Sequence, residues 1–134
     1  MKYFLAKTEP KVYSIEDLER DRKTTWDGVT NPQALQAIRQ MSAGDKVLIY
    51  HSGGVTAIVG VARVASEARP DPKNAKSAVV DLEFVSKLDP PTTLTEVKAS
   101  AKFADFALVR QSRLSTMAVP QAFVEWLKKK YPSL

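Results

Sequence analysis

The sequence predicts an α+β domain built around a curled sheet or small barrel. Short strand-like runs recur along the chain, and helix-capping signals sit between them. The regular strand–helix–strand alternation of a doubly wound parallel sheet is missing. With 134 residues, the chain is expected to form one domain, 1–134, long enough for a real core and too short for two.

The elements follow in order. Met1 to Lys7 reads as a first strand, its apolar run too short for the core of a signal peptide. Ser14, with Asp17 three residues on, opens a short helix through Leu18. Asn31 before Pro32 is a capping side chain followed by proline at a helix start, and Leu35, Ile38 and Met41 then share one face, with Gly44 after the end. Lys46 to His51 is a brief apolar strand, and Ser52-Gly53-Gly54 turns it into a second strand from Thr56 to Val64. Val80, Leu82 and Phe84 alternate with Asp81 and Glu83, giving a strand with one wet face. Thr93-Leu94-Thr95-Glu96 is a capping-box string. Phe106 to Val109 and Ser115 to Ala118 are expected as further strands. Pro120 begins a last helix with Phe123, Trp126 and Leu127 on its buried stripe. The expected interior holds Val47, Ile49, Val59, Val61, Leu82 and Phe84.

Composition narrows the chemistry. Apolar residues make up 44% and charged residues 26%, an ordinary globular balance. No cysteine is present, so disulfides and thiolate catalysis are excluded. One histidine, His51, is too few for a common zinc site, and no metal or cofactor is expected. Neither phosphate-cradling glycine string occurs, and no serine sits in G-x-S-x-G. No apolar run approaches a membrane span, so no membrane partner is expected. Twenty Lys plus Arg against fifteen Asp plus Glu give a net charge of +5. That suits a phosphate-bearing partner, and equally a surface kept soluble by charge. Lys128-Lys129-Lys130 closes the last helix, where cations offset its dipole, and is not read as a binding patch.

One segment stands apart: Trp26-Asp27-Gly28-Val29-Thr30-Asn31. A tryptophan on a turn beside helix N-terminal amides can form a stacking wall with donors next to it. It can also plug the edge of the core while Asn31 merely caps. Tryptophan usage alone favours the plug.

Together with Tyr3 to Pro10, Tyr13 to Leu18, Tyr50-His51-Ser52, Gly60 and Val109 to Ser115, this segment resembles the EVE-domain family. That family, the relatives of thymocyte nuclear protein, lies within the PUA-like group with YTH and ASCH domains. The resemblance runs nearly end to end. Thr30 stands where many members carry arginine, which weakens any phosphate contact inferred there, and the loop after Ser52 is short.

The resemblance implies a PUA-like mixed β-barrel with short surrounding helices. It implies a non-catalytic, monomeric reader of a modified base flipped into an aromatic pocket: methylated or hydroxymethylated cytosine, or N6-methyladenine, in DNA or RNA. Carried over by position, Trp26 is one wall within Asp27, Gly28, Val29 and Asn31, and Lys7, Asn31 and Ser52 are polar pocket groups. Tyr50 and His51 end a strand at the barrel mouth, although a lone histidine there is more often structural. Arg110, Ser112 and Arg113 form a phosphate clamp by resemblance and a solvated loop by bare pattern. Glu9 reads an exocyclic amine or pairs with Lys7. Two other functions remain: a general RNA-binding PUA-like module, and an ASCH-like hydrolase of modified nucleosides using Lys7, Glu9 and Ser52. The expected compartment is the cytoplasm, or the nucleus in a eukaryote.

Overall fold

The computed structural model describes every residue from Met1 to Leu134. Seven strands form a mixed sheet: β1 (Tyr3–Thr8), β2 (Lys23–Trp26), β3 (Lys46–His51), β4 (Ala57–Val64), β5 (Arg69–Asp71), β6 (Asn74–Thr93) and β7 (Thr116–Ala118). Around it lie α1 (Ile15–Asp21), α2 (Pro32–Arg39), α3 (Leu94–Ala99), α4 (Ala107–Arg110) and α5 (Gln121–Lys128). The strand order is β2-β6-β4-β3-β1-β7, with β5 paired to β6. Only β1 and β3 run parallel, which sets Lys7 beside Tyr50 and Thr8 beside His51.

The expected α+β architecture is observed, with the sheet left open. Its end strands β2 and β7 do not pair. Instead α2 packs against both β7 and β6, bridging the gap with Ala34, Leu35, Ala37 and Ile38 buried. One cluster of 35 buried apolar residues fills the interior, with Phe4, Ile15, Ile38, Ile49, Leu82 and Phe123 among its largest members. Each such side chain contributes roughly 1.5–3 kcal/mol of burial. No helix is long and apolar enough to cross a membrane.

The capping signals act as expected. Ser14 and Thr93 each close a full capping box, and Asn31 Oδ1 accepts the Gln33 and Ala34 N–H groups at 2.9 and 3.1 Å. Other expectations need correction. Phe106 to Val109 is not a strand. The Phe106 carbonyl accepts from Val109 and Arg110, making the single turn α4, and this curl buries Phe106 against Phe123 at 4.7 Å. Val47, Ile49, Val61 and Leu82 are interior, whereas Val59 and Phe84 are only partly buried. Val59 falls where the β4–β6 register shifts, and the Phe84 ring lies under the Arg22 guanidinium at 5.7 Å. Helix α2 stops at Arg39 and Met41 is buried just beyond it. Pro120 is the N-cap of α5 rather than its first residue.

Helix α1 is fastened to the sheet at its first residue. The Ile15 N–H donates to His51 Nε2 at 3.0 Å, and the Ile15 side chain lies over Gly60 of β4. A Cβ at Gly60 would meet Ile15 Cδ1, Ile15 Cγ1 at 2.7 Å and the Ser86 carbonyl at 3.0 Å. Two outcomes are expected. Gly60→Ala should lower stability by about 1–3 kcal/mol, measured by denaturant unfolding, because the interior there has no room for a methyl group. His51 must be neutral at Nε2 to accept, and burial pushes its imidazolium below the usual 6.5. Its contribution is therefore present above that value and lost as pH falls below it toward the depressed folded value. The melting temperature should drop between about pH 7.5 and about pH 5.5. In His51→Gln, whose amide oxygen can replace Nε2 as acceptor, that part of the drop should vanish.

Candidate nucleic-acid interface

The open seam of the sheet is a cleft of about 580 Å³. One bank is β2 and the loop after it, from Thr24 to Asn31; the other is the end of β1, with Lys7 and Thr8, joined by Arg113 and Ser115. Val12 and Tyr13, from the loop between β1 and α1, complete the lining. Its size suits a small planar ligand.

Trp26 ends β2 opposite Val80, and its indole is half-buried. One part packs against the core and another lines the cleft. Tyr13 meets it edge-on, centroids 6.3 Å apart at 81°. The Tyr13 hydroxyl donates to Asp21 at 2.9 Å, and burial holds its pKa above the usual phenol value. Val12, by contrast, is an exposed aliphatic at the lip.

The polar lining mixes hydroxyls, which donate and accept, with the donors Lys7, Asn31 and Arg113. Lys7 is half-buried, and desolvation lowers its pKa. Its ammonium donates to the Ser112 carbonyl at 3.0 Å and lies 5.6 Å from the centre of the Tyr50 ring. Because the cap bonds occupy Asn31 Oδ1, they leave its amide NH₂ as the free group. Arg113 is exposed and enters no ion pair. Asp27 is the one carboxylate in the lining, and Gly28, at φ 76°, turns the chain behind it.

The residues singled out from the sequence thus divide. Lys7, Trp26, Asp27, Gly28, Val29, Asn31 and Arg113 line the cleft. Arg110 and Ser112 border a neighbouring groove of about 310 Å³, which shares Asn31 and Arg113 with the cleft; Arg110 is 3.9 Å from Asp105. Tyr50 is buried beneath Lys7 and positions it. His51 holds α1, as described above. Ser52 is exposed outside the lining, its N–H donating to the Thr8 carbonyl. Glu9 does not pair with Lys7; its carboxylate accepts the Lys11 N–H and lies against Gly53. Val12, Thr24 and Thr25 were not signalled, and Thr8, Tyr13 and Ser115 were visible only as part of the family pattern. Strand β2 lacks apolar alternation, so nothing in its sequence placed Thr24 and Thr25 on the cleft bank.

Comparison with known proteins places the fold in a family. Human thymocyte nuclear protein 1 is 29% identical over 98% of this chain and 76% of its own. The chain spans only 55% and 45% of the rat and mouse proteins. The solution structure of a Rhodopseudomonas palustris protein superposes with a TM-score of 0.92 at 35% identity, covering 100% of this chain and 95% of that one. The human THYN1 protein in complex with DNA containing 5-methylcytosine superposes at 0.85 with 28% identity, covering 97% and 99%. An ASCH protein of Zymomonas mobilis, at 12% identity and 0.59, shares the PUA-like fold alone. The EVE domain model matches residues 2–130, and the chain belongs to the EVE-domain family.

Proposed function

We propose that this chain is a non-catalytic reader of a modified base in nucleic acid. The observation that carries the reading is the cleft: an opening of about 580 Å³, roomy enough for a base, walled by the Trp26 indole and lined by the Lys7, Asn31 and Arg113 donors. A base flipped out of its stack would lie against the indole, with its edge toward Lys7 and the Asn31 amide. Extrusion costs a few kcal/mol, and aromatic stacking with edge hydrogen bonds offsets it. Among methylated or hydroxymethylated cytosine and N6-methyladenine, 5-methylcytosine in DNA has the most direct support, since a family member is seen with such DNA. The Arg110–Arg113 loop beside the cleft would take a flanking phosphate. Such a reader acts as a monomer in the compartment that holds its target.

The hydrolase alternative would draw its acid, base and nucleophile from Lys7, Glu9 and Ser52. Only Lys7 lines the cleft, and Glu9 and Ser52 lie outside it. A general RNA-binding module would need the basic loops but not the aromatic wall.

Two expected outcomes test the reading against a panel of modified and unmodified oligonucleotides. Trp26→Ala should weaken binding by roughly 1–3 kcal/mol, mostly on the preferred modified strand, whereas Trp26→Phe should keep the preference. A Trp26→Ala protein that melts earlier yet keeps its preference while folded would make the indole structural. Asn31→Asp should hold the melting temperature, because aspartate caps as well as asparagine. It should nonetheless lose binding, since it replaces the free NH₂ with an acceptor. Equal affinity for every strand in the wild type would favour the general RNA-binding module.

A further inference from the structure

The β2 bank of the cleft continues into a hairpin. β6 pairs with β2 through residues 80–83 and with β5 through the residues just before, so the β5–β6 hairpin stands on the opposite side of the seam from Arg113. Two polar contacts tie it to the cleft wall. Ser77 Oγ, buried, donates to the Val29 carbonyl at 2.7 Å. Asp81, its pKa lowered by hydrogen bonds from Arg69 and Thr25, joins them at 3.0 and 2.9 Å. Val29 and Thr25 both line the cleft.

Between this hairpin and the end of α2 lies a separate groove of about 330 Å³. Its floor is made of alanines and Pro70, so backbone and small side chains leave room for a ligand group. Arg39 reaches it from the last turn of α2 and donates to the Lys76 carbonyl at 3.0 Å. Asp81 answers the charge of Arg69, but no acidic side chain pairs with Arg39, Lys73 or Lys76, and all three are exposed. Offsetting the dipole of α2 accounts for Arg39 alone. It does not explain Lys73 and Lys76, two further unpaired cations on the same hairpin, outside the lining of the groove.

We propose that the hairpin groove is a second contact for the nucleic-acid backbone, taking phosphates on the side of the cleft opposite Arg113. The proposal rests on the reader function and extends it from one base to the strand that carries it. With cations on both banks, the strand would cross the seam above the flipped base. Contacts of this kind supply affinity without base identity.

The test is salt-titrated binding of the full chain and of Lys73→Ala/Lys76→Ala. The probes are a duplex oligonucleotide carrying 5-methylcytosine, its unmodified counterpart, and 5-methyl-2′-deoxycytidine alone. Lys128→Ala/Lys129→Ala, with the same loss of charge at the far end of α5, is the control. In the hairpin variant both oligonucleotides should weaken several-fold by the same factor, and the log–log salt slope should shrink by about one to two units. Nucleoside affinity, the modified-base preference and the melting temperature should not change, and the control should stay near wild type. An unchanged slope and affinity, an equal loss in the control, or no salt-dependent binding by the wild type would overturn the proposal. A shrunken slope in a protein that never prefers the modified strand would leave the hairpin contact standing and remove the reader function instead.

Discussion

The architecture turns on one seam that backbone hydrogen bonds do not close. β2 at one end of the sheet and β7 at the other are four and three residues long, and they never meet. A direct ladder would bring them within about 5 Å and leave no opening. The apolar face of α2 closes the interior instead, touching both sides while its capped N-terminus faces the gap. Short edge strands covered by a helix are also a protection against edge-to-edge pairing. One choice therefore both seals the core and creates the cleft.

Hydrogen bonds brace much of the lining. Its groups project from strand ends, a capped helix start and a braced loop rather than from free segments. Thr8 Oγ1 donates to the Tyr13 carbonyl at 2.8 Å, and the Val12 and Tyr13 N–H groups return to Glu9, so the lip is a tight turn. His51 and Gly60 then hold α1 directly behind it. Side chains fixed in this way lose little freedom when a ligand arrives, which is where affinity is gained.

The sequence disclosed what local chemistry decides. Ser14, Asn31 and Thr93 cap the helices their spacing announced, because an N-cap bond spans only two or three residues. What depends on distant pairing was hidden. Lys23-Thr24-Thr25-Trp26 is a strand only because residues 80–83 lie beside it, and Trp26 read alone seemed to stand on a loop. β6 runs through Pro90 and Pro91, which argue against a strand, yet two register shifts against β4 accommodate its length. Phe106 to Val109 was too short for its period to separate strand from helical turn. In the cleft, Trp26 and Asn31 stood out locally as a tryptophan beside a capped helix start, whereas Lys7 came only through the family pattern. That pattern also drew in Tyr50, His51 and Ser52, at and just past the end of β3, none of which lines the cleft.

The distribution of polar groups in the cleft bears on whether it binds or reacts. A general acid–base pair needs two titrating groups that converge on one reacting atom. Here Asp27 is the one carboxylate, exposed beside Gly28, and Lys7, Tyr13 and Arg113 are the other ionisable groups of the lining. Three other groups are held by neighbours that fix their direction. The cap orients the Asn31 amide, the Ser112 carbonyl holds Lys7, and Asp21 holds the Tyr13 hydroxyl. Donors pinned this way discriminate by geometry, because an edge that cannot accept leaves a desolvated N–H unpaired at about 1–3 kcal/mol. On the proposed reading, the indole would supply sequence-tolerant stacking and the held donors the choice of base.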